Sequence, residues 1–162
     1  MKVIDKYQFG DNSTNRLHTV SKYLQMAARK ALKCSPVDFG VPWMGGLRTA
    51  EEQKEIFDDG HSRADGYTKI SYHQQVDPDG KGKALDLVPW ISGIGFAYNA
   101  YGRFGIIGML MLEAWEELKE AGEIPENLYL HWGGFWRNKE PKDLGWDLAH
   151  YEIRSSEQVE QL

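Results

Sequence analysis

The chain has 162 residues, of which 41% are hydrophobic and 27% charged, with a formal net charge of −5. That length suits one domain with a real core. The acidic balance argues against a nucleic-acid partner, whose binding rests on clustered Lys and Arg, while leaving room for an anionic substrate in a local basic pocket. Cys34 is the only cysteine, which excludes an intrachain disulfide and a cysteine-rich zinc site.

In chain order, residues 1–11 read as a lead-in without the apolar stretch of a signal peptide. Leu17, Val20, Leu24, Ala27, Ala28 and Ala31 fall on one helical stripe. They predict a helix from about Ser13 to Leu32, with Ser13 as N-cap and Cys34-Ser35-Pro36 as its end. Val41–Leu47 reads as a short strand. Thr49-Ala50-Glu51-Glu52 is a capping box opening a second helix that runs to about Asp59 and stops at Gly60. Residues 60–70 form a polar loop. Gly82–Trp90 alternates as a buried strand, preceded by Gln74–Lys81, whose Asp77-Pro78-Asp79-Gly80 is a turn signal. Ile91–Tyr101, spaced by glycines, reads as loop.

A third helix is expected over Arg103–Ala121, with Ile107, Leu110, Met111, Ala114, Trp115 and Leu118 buried and Gly122 as its cap. Leu128–Trp132 is a strand, Gly133–Trp146 a loop, Ala149–Ile153 a last short strand, and the tail after Arg154 is polar and frayed. The apolar run Phe104–Leu112 is too short to cross a membrane. Together these elements predict an α+β fold, a small and largely antiparallel sheet flanked by helices, with residues 1–162 as one catalytic domain.

The chemistry concentrates in a few residues. Asp86 lies in an apolar strand, where a charge needs a partner or a metal. Of the five histidines, His18 reads as a helix-surface residue, His61 as a loop residue without support, and His131 as a half-buried polar residue ahead of the alternative that it lines a cleft. His150 shares a strand face with Glu152. His73, Asp86 and His150 supply three ligands and leave a fourth tetrahedral position for water, as in a catalytic zinc site. Asp147, three residues before His150, is placed to act as general base. On spacing alone an alternative stands level with this: Asp147 caps a turn and His73 is a surface residue.

The order of motifs separates the two. Ser71-Tyr72-His73, Gly82-Lys83-Ala84-Leu85-Asp86 and Asp147-Leu148-Ala149-His150 resemble the S-x-H-x-x-G-x-A-x-D and D/E-x-x-H motifs of the zinc D-alanyl-D-alanine carboxypeptidase/L-alanyl-D-glutamate endopeptidase family, which includes phage endolysins. Leu47-Arg48-Thr49 resembles that family's upstream arginine motif, and Leu87-Val88-Pro89-Trp90 and Trp132-Gly133-Gly134-Phe135-Trp136 resemble its phage-lysin branch. The likeness runs from about Ser13 to Ile153.

It implies a hedgehog/DD-peptidase-like fold, zinc on His73, Asp86 and His150, Asp147 as catalytic base, Arg48 on the substrate or the developing oxyanion, and Ser71 in the substrate pocket. One departure stands out: eight residues, Gln74–Lys81, separate His73 from Gly82 where the family has two. The turn inside them predicts an outward loop that leaves the ligands in place, with Asp77 and Asp79 as the other conceivable ligands or a calcium turn.

The implied function is cleavage of peptidoglycan stem peptides, between L-Ala and D-Glu, by a monomeric phage endolysin. It has no nucleic-acid or membrane partner, is made in the host cytoplasm and acts on the wall after holin-type release. The alternatives are a D-Ala-D-Ala carboxypeptidase and a non-enzymatic wall-binding or virion module retaining a structural zinc. A hydrolase built on Cys34 is disfavoured, because no histidine lies near it in sequence.

Overall fold

The computed structural model describes residues 1–136 and 145–159. Its helices are α1 (Asp11–Leu17), α2 (Lys22–Cys34), α3 (Ala50–Asp58), α4 (Tyr101–Glu120) and α5 (Ser156–Val159). Its strands are β1 (Phe39–Gly40), β2 (Ala84–Asp86), β3 (Val88–Ile91), β4 (Gly95–Phe96), β5 (Leu128–Trp132) and β6 (His150–Ser155). They form two antiparallel three-stranded sheets, ordered β1-β3-β4 and β2-β6-β5. The expected α+β fold is therefore present, with its strands divided between two small sheets.

The division falls inside the expected Gly82–Trp90 strand. Leu87 leaves both ladders, and its N–H bonds the Ala149 carbonyl instead. β2 thus pairs with β6, while β3 turns to meet β1 and β4.

The core lies where α2 and α4 meet. Leu24, Ala27, Ala28 and Ala31 of α2 face Ile107, Met111, Ala114 and Trp115 of α4, all fully buried. The alanine stripe on α2 lets the larger side chains of α4 approach closely. Each large aliphatic or aromatic side chain so buried contributes about 1.5–3 kcal/mol.

α4 also carries the element that leads to the site. A Cβ on Gly108 would lie 2.4 Å from Trp132 Cζ2, so only glycine lets the β5 indole rest on the helix. The Trp132 Nε1–H then donates to the Leu148 carbonyl at 2.9 Å, fixing the chain just before β6.

Several expectations are corrected. The single helix over Ser13–Leu32 is two helices, because Thr19 and Ser21 pair instead with Gly82. Ser13 lies inside α1 rather than at its N-cap, and its hydroxyl accepts from the Val41 N–H. The strand expected over Val41–Leu47 does not form: a two-residue strand, Phe39–Gly40, precedes it, and Val41–Leu47 loops, with Met44 in a left-handed backbone conformation, φ +57°. The Ile91–Tyr101 loop contains β4, and the tail after Arg154 continues β6 and then forms α5.

The Thr49/Glu52 capping box forms as expected, with the helix closing at Asp59 and Gly60 at φ +78°. Part of the expected Gly133–Trp146 loop, 137–144, lies outside the described residues. Among the described residues, no helix is long and apolar enough to cross a membrane.

Candidate metal centre

Three elements bring three side chains to one point. His73 sits in a 3-10 turn, Tyr72–Gln74, which Ser71 opens: its hydroxyl accepts from the His73 N–H, and Gln74 Oε1 accepts from the Ser71 N–H. Asp86 ends β2 and His150 begins β6, and the antiparallel register places the two directly opposite each other. Facing side chains on neighbouring strands sit about 5 Å apart at Cβ, so the pairing alone sets the carboxylate against the imidazole.

The eight-residue insertion does not disturb this. Gln75 and Val76 pair back onto Lys83 and Gly82, closing Gln74–Lys81 as a small outward hairpin. Asp77 accepts from the N–H groups of Asp79 and Lys81, an Asx turn. Neither aspartate joins the group of possible ligands found among the described residues, which is His73, Asp86 and His150.

His73 Nε2 lies 3.1 Å from Asp86 Oδ1 and 3.1 Å from His150 Nδ1, and His150 Nδ1 lies 3.3 Å from Asp86 Oδ1. Ligands at zinc distances of about 2.0–2.1 Å in a tetrahedron are about 3.3 Å apart. Proton placement makes the case stronger than distance does. His73 Nδ1 faces the Gly46 carbonyl at 2.8 Å, which can only accept, so Nδ1 carries the proton and Nε2 presents a lone pair.

His150 Nε2 faces the Glu152 carboxylate at 2.9 Å and is likewise the protonated nitrogen. The neutral rings and the ionised Asp86 therefore point three lone pairs at one place, an arrangement that repels itself unless a cation or a proton lies between. With no metal bound, a proton on His150 Nδ1 satisfies it by donating to His73 Nε2 and Asp86 Oδ1. The donor set fits a metal ion.

The titration pattern follows the same logic. Burial pulls the His150 pKa down, but bonds to Asp86 and Glu152 outweigh it and raise the value to about 9. Burial dominates at His73, which is lowered despite Asp86 nearby. At Asp86 burial works upward, and the neighbouring His73 and Arg48 overcome it, holding the carboxyl well below its usual range.

The surroundings are built to hold this geometry. Three successive carbonyls of the loop before Leu47 serve it: Met44 accepts from Arg48 Nε at 2.5 Å, Gly45 from the Asp86 N–H at 2.8 Å, and Gly46 from His73. Arg48 also donates from Nη1 to Gln53 Oε1 at 3.1 Å and from Nη2 to Asp86 Oδ2 at 2.6 Å. Its guanidinium is thus committed to the aspartate oxygen that does not face the histidines.

Glu152 is 1% exposed; besides His150 it accepts from Arg154 Nε at 2.6 Å and Nη2 at 2.5 Å. Burial pushes its pKa up, and those bonds hold it below the usual range all the same. Such a carboxylate–histidine pair fixes the tautomer and orientation of a metal-ligating ring.

Asp147 is half-buried beside this group without joining it. Burial first, and then the charge of Asp86, raise its pKa to about 6. Ser71 caps the turn that bears His73. His131, half buried on β5 opposite Glu152, accepts from the Trp136 indole at 3.1 Å. His18 and His61 are exposed and apart from the centre.

Sequence reasoning misses Glu152, Gln53 and the Gly45-Gly46 carbonyls. A carboxylate two residues beyond His150 in an apolar strand was an available signal for Glu152. Backbone carbonyls leave no signal of their own.

Asp86 and His150 of the small antiparallel sheet, with His73 from the adjoining 3-10 turn, form a group that could hold a single metal ion. The family described as phage L-alanyl-D-glutamate peptidase matches residues 5–153, and the chain belongs to it. The L-alanyl-D-glutamate peptidase of Escherichia phage T5 is 33% identical over 87 residues, which are 54% of this chain and 57% of that protein. The chain therefore spans little more than half the length of that curated relative. The crystal structure of the Serratia marcescens L-Ala D-Glu endopeptidase ChiX superposes with a TM-score of 0.61 at 25% identity, covering 92% of each chain.

Proposed function

We propose that this protein is a zinc-dependent peptidoglycan peptidase that cleaves the L-Ala–D-Glu bond of stem peptides during host lysis, acting as one catalytic domain. The observation that carries the proposal is the convergence of the His73, Asp86 and His150 lone pairs beside Asp147. The names of the family and of both relatives support the choice of bond.

In this reading His73, Asp86 and His150 hold the ion, which when bound supplies a Lewis acid and brings the pKa of a water to about 7. Zinc is favoured by the ligand set, two imidazoles and one carboxylate. Asp147 takes a proton from the attacking water and passes it to the departing amine. In the metal-free protein burial and Asp86 lift the pKa of this carboxyl. A bound dication would draw that value down again. Arg48, engaged with Met44, Gln53 and Asp86, is assigned here the positioning of Asp86 rather than contact with the oxyanion. Ser71 is assigned the positioning of His73 rather than a place in the substrate pocket.

The test is digestion of purified Gram-negative peptidoglycan by zinc-loaded protein, read by mass spectrometry beside a His150→Ala control. New D-Glu amino termini, absent from the control, are the expected result. Release of single D-Ala would replace the endopeptidase with a carboxypeptidase. Tight zinc binding with no product would leave a binding module.

A further inference from the structure

A line of neighbouring rings, tilted against one another, leads away from the candidate metal centre. The Trp136 ring lies 5.1 Å from the His150 ring and 5.1 Å from that of Trp146, and the Arg63 guanidinium lies 4.6 Å over the Trp146 ring. Trp146 directly precedes Asp147. The backbone around Arg63 is also tied to the same centre. Gln53, fully buried, donates from Nε2 to the Ser62 hydroxyl at 2.8 Å and to the Ala64 carbonyl at 2.9 Å, while its Oε1 accepts from Arg48. Both neighbours of Arg63 are thereby fastened, through Gln53 and Arg48, to Asp86.

Arg63 itself is exposed and makes no ion pair among the described residues. Among the described residues, two other arginines near the site are occupied, Arg48 by Asp86 and Arg154 by Glu152. The polypeptide thus anchors an exposed cation on the aromatic face of the residue before Asp147, with its forked donors unpaired among the described residues. A guanidinium so presented matches a carboxylate in two parallel hydrogen bonds.

The proposed bond supplies such a group by necessity. A D-Glu on the amine side of the cut has two carboxyl groups, and continuing the chain uses one. The other stays free within a few bonds of the departing nitrogen. We propose that Arg63, held on Trp146, is the specificity-determining residue that receives this free carboxylate. The inference rests on the L-Ala–D-Glu reading above and names the substrate group that the site selects.

The experiment crosses protein and substrate. Two synthetic peptides carry the L-Ala–D-Glu bond, one with the second glutamyl carboxylate free and one with it as the primary amide. Each is cleaved by zinc-loaded wild type, Arg63→Gln and Arg63→Lys. Wild type is expected to favour the acid by about two- to fivefold in kcat/KM, the size of one ion pair at an exposed site. Arg63→Gln removes that preference by raising KM for the acid while leaving the amide's rate unchanged. Arg63→Lys retains part of it, as a charge without the fork.

A second readout needs no turnover: binding of the free D-Glu-leading product peptide to the metal-free protein, followed by tryptophan fluorescence, weakens in Arg63→Gln. Equal treatment of the two peptides by wild type, or an equal fall on both in Arg63→Gln, would overturn the assignment of Arg63 alone. Wild type cutting neither peptide at this bond would overturn the activity reading, and this inference with it.

Discussion

Replacing Glu152 by glutamine tests whether the histidine tautomer is what makes the centre a metal site. The carboxylate divides its work: one oxygen takes the His150 Nε2–H at 2.9 Å, the other takes Arg154 Nε and Nη2 at 2.6 and 2.5 Å. Glutamine has one acceptor oxygen and one donor group of almost the same shape. Arg154 offers only donors, so the amide oxygen turns to it and the NH2 turns to His150. Nε2 must then accept, and the ring proton moves to Nδ1, the nitrogen that faces His73 and Asp86.

The expected loss of metal affinity is about 10–100-fold, the usual effect of losing a histidine's outer partner, or about 1.4–2.7 kcal/mol. Titration against a chromogenic chelator at fixed pH measures it, with thermal unfolding confirming that the variant is folded. Arg154→Gln in the same chain frees the amide oxygen to face His150, so the double variant should regain part of the affinity. Native affinity in Glu152→Gln, or no recovery in the double variant, would refute the tautomer argument.

Other outcomes rest on the same geometry. Asp147→Asn should bind metal normally, by chelator titration, and lose about 10²–10⁴-fold in turnover of the peptide substrate; near-normal turnover would remove Asp147 from the reaction. His150 has a folded pKa of about 9 against an ordinary 6.5, so between these values the metal-free fold holds a proton that the unfolded chain does not. That stabilisation is full below about pH 6.5 and is lost as pH rises through about 9. The metal-free unfolding midpoint should fall across this window, while metal affinity rises about tenfold per pH unit and levels off near pH 9, because one proton leaves for each ion bound.

Gly46→Ala would bring a Cβ to 2.3 Å from Thr19 Oγ1 and 2.8 Å from the Arg16 carbonyl. The loop must shift and carry with it the carbonyl that orients His73. A loss of about 1–3 kcal/mol in unfolding free energy and weaker metal binding are expected. Gly105→Ala, on α4 with nothing within 4 Å of the new Cβ, should be neutral or stabilising, by up to about 1 kcal/mol.

The elements with strong local signals formed where periodicity and capping put them. Thr49 and Glu52 satisfy each other's backbone without outside help, and the α4 stripe needed only its own 3.6-residue period and Gly122 to end it. The failures share a cause. Leu17 and Leu24 lie on one stripe, yet the helix breaks between them because Gly82, more than sixty residues away, offers Thr19 and Ser21 better hydrogen bonds than a continuing helix does. The Gly82–Trp90 run is one strand by pattern and two by structure, since nothing in its alternation says that Leu87 bonds Ala149.

The same contrast holds at the centre. The grouping of His73, Asp86 and His150 is legible in the sequence through the order of its motifs, each of them a short local pattern. So is the outward course of Gln74–Lys81, written in its Asp-Pro-Asp-Gly turn. Residue chemistry alone leaves His73, Asp86 and His150 as ligand candidates level with a reading in which they bind nothing, and it is the resemblance of the motifs, in their order, that singles them out.

Only the tertiary structure decides that Asp86 and His150 stand opposite each other across a ladder and that Arg48 is bound to the aspartate rather than turned to solvent. It also decides that Glu152 and the Gly46 carbonyl choose which nitrogen of each ring is free. Tautomer and charge depend on which groups meet at about 3 Å, and that distance is a property of strand register and loop closure, which no single stretch of sequence contains.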